Sequence, residues 1–416
     1  MYKRISSTFV IISISMFSAF ICTVFLARKL SIADFGGYSL LKQIMTIAIV
    51  IATLGLGQSY TRNFANKNGG LFRIHFITGS ILLLMSLFLS FFIQQVYDYT
   101  KVQTIFIFSG IFCGSASIYM SEIYRINNHY CFAQIAESGW KIVLLLLVVL
   151  LYIFNNAITL DNIYILIFLS FLAPSLTFFK FAFYSYKEQQ PQKIDLGVYV
   201  FTGFTFWIIN SLGLLSGAIE KFIIPFVFSK EILGIFTSLS FVYITYFSMI
   251  GSAIGYVLFP TLSKGEKVNW KKMSMLIFTM IVISIILFII LGEHLTNILY
   301  GGKYDAYNSW FFILSFIFLG IIQMINTITH FIVLAFGKQK DLFIYLIVII
   351  TSTGLFLGVI WLSQKLKVLT IEILTIYIIG MWLVKLLGIF TLLYQIVKRR
   401  RFQREVSQNV NVIQWI

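Results

Sequence analysis

With 59% of its 416 residues apolar and only 11% charged, this chain carries far more apolar side chain than a soluble core could bury, and lipid must solvate the excess. The formal net charge of +16 comes without any basic stripe interleaved with aromatics on a soluble module, so nucleic acid is not expected as a partner. Cys22, Cys113 and Cys131 have neither metal nor redox spacing, which argues against a disulfide framework and a metal site.

Backbone groups in hydrocarbon must be satisfied within a helix or a closed barrel. Barrel strands are about ten residues long and alternate in polarity. The apolar runs here are about twice that length and apolar on all sides. We therefore expect an all-α polytopic membrane protein of about twelve transmembrane helices.

The first run follows Lys3-Arg4 and reaches Ala27. It is long for a signal-peptide core and is followed by Arg28-Lys29, so we read it as the first span, about 5–27. The others lie at about 37–57, 74–97, 102–121, 139–154, 162–184, 197–219, 232–259, 273–292, 308–336, 342–363 and 370–396. The fifth is short and is expected to begin before Trp140. No connection is long enough to hold a soluble catalytic domain.

Twelve spans put both termini on one side. Of the 31 Lys and Arg, 19 fall on that side, 8 on the other, and Lys42, Lys141, Lys180 and Lys385 lie inside spans. The bias places both termini in the cytoplasm and the protein in the bacterial inner membrane, with the basic tail 397–416 near anionic lipid.

A repeat is visible at a shift of 198 residues. Ser31-Ile-Ala-Asp-Phe-Gly-Gly-Tyr-Ser39 follows the first span, and Ser229-Lys-Glu-Ile-Leu-Gly-Ile-Phe-Thr237 follows the seventh. Gly36 aligns with Gly234 and Tyr38 with Phe236; the loops at 61–67 and 259–265 correspond as well. Repetition after six spans predicts two pseudo-symmetric six-helix lobes, 1–190 and 191–396, with a central cavity between them.

Polar residues within spans are the candidates for function, because intramembrane charge is costly. Ser15, Ser18, Cys22 and Lys29 share a face of the first span; helix packing explains the small ones, and Arg28 and Lys29 mark the outer interface or meet an anionic group there. In the second span Ser39, Lys42, Thr46, Thr53 and Gly57 fall on one face. Lys42 is a phosphate ligand facing a cavity or a lysine snorkelling outward. The seventh span aligns Asn210, Gly213, Gly217 and Lys221, with Glu220 beside the lysine as a coupling group or an inter-lobe ion pair. The tenth aligns Gln323, Asn326, Thr327 and His330; the amides could touch sugar hydroxyls, and His330 could couple transport to protons, or interhelical hydrogen bonding explains the set. Lys385 lies near the middle of the twelfth span, whereas Lys141 and Lys180 look placed to snorkel at cytoplasmic ends. No nucleotide-binding loop is present.

Four stretches resemble the Wzx-type O-antigen and polysaccharide flippases of the MATE-like (MOP) superfamily. They are Leu26-Ala-Arg-Lys-Leu-Ser-Ile-Ala-Asp-Phe-Gly-Gly-Tyr-Ser39, Gly55-Leu-Gly-Gln-Ser-Tyr-Thr-Arg62, Glu220-Lys221 with Leu233-Gly-Ile-Phe236, and Tyr300-Gly-Gly-Lys-Tyr-Asp-Ala306. Glu220 departs from the aspartate such proteins often carry. The resemblance covers nearly the whole chain. It implies alternating access and an undecaprenyl-diphosphate-linked oligosaccharide as cargo, in the synthesis of a surface polysaccharide such as O-antigen or capsule. A polymerase and a chain-length regulator are the implied protein partners. No cofactor is expected, and the coupling ion, H⁺ or Na⁺, is left open.

On this reading the diphosphate ligands are Arg28, Lys42, Lys221 and Lys385. Asn210, Gln323 and Asn326 line the glycan path, and Glu220 and His330 serve charge pairing or coupling. Two other functions compete. A drug or cation antiporter of the same fold would favour acidic residues in its spans, and here the intramembrane charge is mostly positive. A glycan polymerase would need a long external loop or a soluble domain, and neither is seen; an enzyme is not expected.

Overall fold

The computed structural model describes residues 2–64, 72–126, 129–155, 158–187, 196–263 and 268–413. These residues form helices and one short 3-10 turn. In chain order the helices are α1 (Tyr2–Lys29), α2 (Ile32–Ala52), α3 (Leu56–Phe64), α4 (Phe72–Tyr97), α5 (Lys101–Ile126), α6 (Tyr130–Ser138), α7 (Trp140–Asn155), α8 (Leu160–Lys187), α9 (Leu196–Val227), α10 (Lys230–Ser263), α11 (Trp270–Tyr300), α12 (Trp310–Phe336), α13 (Gln339–Lys365) and α14 (Ile371–Ile413). Among the described residues nine helices are long and apolar enough to cross a membrane, and the bent pair α6–α7 makes a tenth. Helix α1 and the apolar stretch Leu160–Leu176 of α8 complete the expected twelve.

Two predicted spans turn out to be broken. The second is α2 followed by α3, interrupted at Thr53–Gly55, where Leu54 and Gly55 take positive φ. The expected polar stripe from Ser39 to Gly57 therefore does not run along one helix. Thr53 caps α2 and returns its hydroxyl to the Val50 carbonyl at 2.7 Å. At Gly55 a side chain would meet the Gly203 carbonyl oxygen of α9 at 2.2 Å, so the break exists in contact with a neighbouring backbone. The fifth span runs from Tyr130 to Asn155 and bends by 51° at Gly139. The earlier start expected from its short apolar run is thus α6.

The chain divides into two compact units, 1–234 and 235–416, each described by itself. In the first unit α5 packs on α8, α4, α6 and α2, while α9 packs on α2 and α3. Buried Leu56, Tyr60, Ile74, Tyr119 and Tyr199 form one core there. Polar groups within it are paired: His75 Nδ1 with the Tyr119 hydroxyl at 2.9 Å, Thr78 with the Tyr199 hydroxyl at 2.9 Å, and the Ser59 hydroxyl donating to the Tyr199 carbonyl at 2.5 Å.

The repeated segments behave alike. Ser31 caps α2, its side chain accepting from the Asp34 amide at 3.0 Å, and Ser229 accepts from the Ile232 amide at 3.2 Å. These two helix starts cross at glycine. A Cβ on Gly36 would lie 1.8 Å from the Lys230 carbonyl oxygen, and one on Gly234 would lie 2.2 Å from the Ile32 carbonyl oxygen. Capping and contact both map onto themselves under the shift of 198 residues. Such reciprocity is the mark of a two-fold contact.

In the second unit α14 packs on α12 and α13 around Val333, Tyr345, Ile349 and Ile389. Asp341 in the first turn of α13 accepts from the Lys338 amide at 2.7 Å and from both Arg399 guanidinium nitrogens at 3.2 and 2.6 Å. The start of the basic run at 398–401 is thereby tied to α13; the rest of that run has no described side chain. The Tyr300–Ala306 motif is a turn: Gly301 and Gly302 have φ of 65° and 80°, Gly301 ends α11 in the left-handed conformation, and Tyr300 donates to the Ser238 carbonyl at 2.8 Å. Burial raises the Tyr304 phenol pKa above its ordinary value. The loops at 61–67 and 259–265, and the Lys180 side chain, lie wholly or partly outside the described residues.

Candidate functional site

Lys42 is ten residues into α2, about 15 Å along the helix from its first residue. Its ammonium lies 3.5 Å from the Thr23 hydroxyl of α1 and 5.9 Å from the centre of the Tyr38 ring. The group is half-buried, so one side of it remains accessible. Lys221 is six residues before the end of α9, about 9 Å below that end. It too is half-buried, and Glu220 beside it is 7% exposed. Lys42 lies within electrostatic reach of both Lys221 and Lys141. Lys42 on α2 thus feels the charge of one lysine on α9 and of one on α7, all in the first unit.

Such an arrangement is unfavourable in low dielectric unless negative charge is close. Glu220 acts on Lys221, and Glu137 acts on Lys141. Glu137 is also held by Arg125, which pairs with Glu122 at 3.1 Å. The two carboxylates nearest the lysines are therefore one buried beside Lys221 and one shared with an arginine.

The face of α9 below Lys221 is open. At Gly213 and Gly217 an added Cβ would meet no described atom within 4 Å. Asn210, two turns further down, donates to the Gln58 side chain at 2.9 Å. This is the face that the spacing of Asn210, Gly213, Gly217 and Lys221 marks out, and the structure leaves it lined by glycine with a polar amide at its foot.

The remaining candidates lie elsewhere. Arg28 is exposed in the last turn of α1. Neighbouring Lys29 donates to the Tyr152 hydroxyl at 2.9 Å and sits 4.2 Å from the centre of that ring. Ser15, Ser18 and Cys22 are buried against other helices. In the second unit Lys385 is 4% exposed, with its ammonium 4.4 Å from the centre of the Trp382 ring. His330 Nδ1 is 2.7 Å from the Tyr345 hydroxyl and lies within electrostatic reach of Lys385. Asn326 is buried, and Gln323 is half-buried, its carbonyl accepting from Thr327 at 2.9 Å.

Sequence reasoning missed Glu122, Arg125 and Glu137, and set Lys141 aside as an interfacial lysine. The signal that could have found them is charge spacing: Glu122–Arg125 at i, i+3 and Glu137–Lys141 at i, i+4 frame a short loop.

Fold and site together define a polytopic helical membrane protein with intramembrane cations. Its fold is that of the MATE-type transporters. Similar solved structures include an inward-facing multidrug resistance MATE transporter of the MOP superfamily (12% identity, 95% of this chain and 99% of that one, TM-score 0.56). Others are a MATE protein in the bent conformation (13% identity, 95% and 94%, TM-score 0.57) and the Vibrio cholerae MATE transporter VcmN in the bent form (11% identity, 96% and 98%, TM-score 0.54). No curated protein matches the chain significantly. Residues 25–309 match the family described as "Polysaccharide biosynthesis protein", and the chain belongs to that family.

Proposed function

We propose that this protein moves undecaprenyl-diphosphate-linked oligosaccharide units from the cytoplasmic to the outer face of a bacterial inner membrane by alternating access between lobes 1–190 and 191–396. The observation that carries this reading is that Lys42 on α2 lies within electrostatic reach of Lys221 on α9, whose face carries the open positions Gly213 and Gly217. A diphosphate crossing hydrocarbon needs fixed cations to offset its lost hydration, and paired ammonium groups supply them. A hydrated glycan needs space and hydrogen-bonding groups rather than apolar walls, and the Gly213–Gly217 face with Asn210 offers both. Cationic drugs would be repelled by the same charges, which sets this reading apart from a multidrug antiporter of the same fold. Membership in a polysaccharide-biosynthesis family supports a glycan cargo.

In this reading the two termini are cytoplasmic, an H⁺ or Na⁺ gradient supplies the drive, and a polymerase and a chain-length regulator act on the delivered units. Lys385, His330, Gln323 and Asn326 serve the second lobe's share of the path, and Arg28 receives the diphosphate at the outer surface. The test is the sidedness of lipid-linked glycan in cells lacking the protein and complemented with wild type, Lys42→Ala or Lys221→Ala. Complete units accumulate on the cytoplasmic face, and wild type relieves this while the alanine forms do not. Complete but unpolymerised units on the outer face without the protein would overturn flipping.

A further inference from the structure

Lys141 looks, by sequence, like a lysine at the cytoplasmic end of a short fifth span. The structure moves it. The bent pair α6–α7 begins at Tyr130, so eleven residues of chain, turned by 51° at Gly139, precede Lys141. The bend itself fixes where the residue sits. Lys141 lies in the first turn of α7, and its neighbour Trp140 is clamped by stacking on Phe171 with ring centres 4.7 Å apart. The ammonium lies 6.0 Å from the centre of the Trp140 ring. Both α6 and α7 pack on α1, the helix whose Thr23 contacts Lys42. The Lys141 side chain is half-buried and within electrostatic reach of Lys42.

Glu137 acts on Lys141, but its carboxylate is also engaged by Arg125, which Glu122 pairs from the other side. A half-buried ammonium on a helix packed against α1, within electrostatic reach of Lys42 and with a carboxylate it must share, is a costly charge that an anionic ligand would compensate.

We propose that Lys141 is a third ligand for the lipid diphosphate, engaging the anion from the broken fifth span while Lys42 engages it from α2. This rests on the flippase reading and adds the residue that meets the diphosphate from the cytoplasmic half of the path.

The test is binding of undecaprenyl diphosphate, and of uncharged undecaprenol, to the full-length protein by native mass spectrometry. Lys141→Gln weakens the diphosphate about tenfold, the scale of a lost charge-assisted contact, and leaves undecaprenol unchanged; Lys141→Arg restores most of the affinity. Should Lys42→Gln weaken the diphosphate and Lys141→Gln not, Lys141 is no ligand and the flippase site stands without it. Wild-type affinity in both variants would remove the site and this inference together. Equal weakening of both lipids by Lys141→Gln would make its role structural and overturn the proposal. If Lys141→Gln does not fold, amine acetylation of the wild type decides: undecaprenyl diphosphate protects Lys141 and undecaprenol does not, and equal modification under both refutes the assignment.

Discussion

Gly36 and Gly234 offer a sharp test of the packing, because the obstacle to a side chain there is backbone. In Gly36→Ala the new methyl would stand 1.8 Å from the Lys230 carbonyl oxygen, where ordinary contact begins at 3.4 Å. The start of α10 would have to withdraw by roughly 1.6 Å, and no side-chain rotation can absorb that, since the nearest atoms belong to a capped helix turn. Overpacking costs about 1–3 kcal/mol where side chains can adjust, so a backbone clash belongs at the upper end, about 3 kcal/mol. For a body of this size that corresponds to a fall of about 6–12 °C in melting midpoint. Gly234→Ala meets the Ile32 carbonyl oxygen at 2.2 Å and should fall by a similar amount. Two controls separate the causes. Gly354→Ala lies in mid-helix with no described atom within 4 Å and should stabilise by about 0.5–1 kcal/mol through chain entropy alone. Gly301→Ala, at φ 65° with open space around it, should cost about 1–2 kcal/mol of pure backbone strain. The assay is a thermal melt followed by fluorescence-detected size exclusion. Gly36→Ala melting with Gly354→Ala would refute the reciprocal contact.

Two further outcomes follow from named contacts. Tyr345→Phe removes the hydroxyl that meets His330, and a double-mutant cycle with His330→Ala should give a coupling of about 0.6–1.7 kcal/mol, the range for hydrogen bonds inside bilayers; a coupling of zero would show that the pair is not bonded. With Cys22, Cys113 and Cys131 replaced by alanine, Thr159→Cys should react with an impermeant thiol reagent in right-side-out vesicles and Lys340→Cys only in inverted ones; the reverse pattern would invert the orientation read from the lysine and arginine bias.

Much of the fold was legible because lipid imposes a simple rule. Long apolar runs must be helices, and their number and ends follow from composition. The two segments 198 residues apart share a serine that caps a helix and a glycine at a close backbone approach, which gives their likeness physical causes in capping and packing. The Asn210–Lys221 face was read from helical spacing because α9 is unbroken there.

Reading failed where helices break. The stripe from Ser39 to Gly57 assumed one continuous helix, and the positive φ of Leu54 and Gly55 interrupts it after Ala52. Lys141 was set aside as a lysine able to snorkel at a cytoplasmic end; the structure precedes it with α6, a helix carrying Gln134, Glu137 and Ser138 that packs on α1 and α5. By itself the sequence determined how much chain enters the membrane, which sections are helical and where charge is embedded, since those depend on local composition against a uniform solvent. The tertiary structure decided which of the embedded charges act on one another. Lys42 lies within electrostatic reach of Lys141 and Lys221, which come from two other helices, and that depends on which helices pack together rather than on local composition.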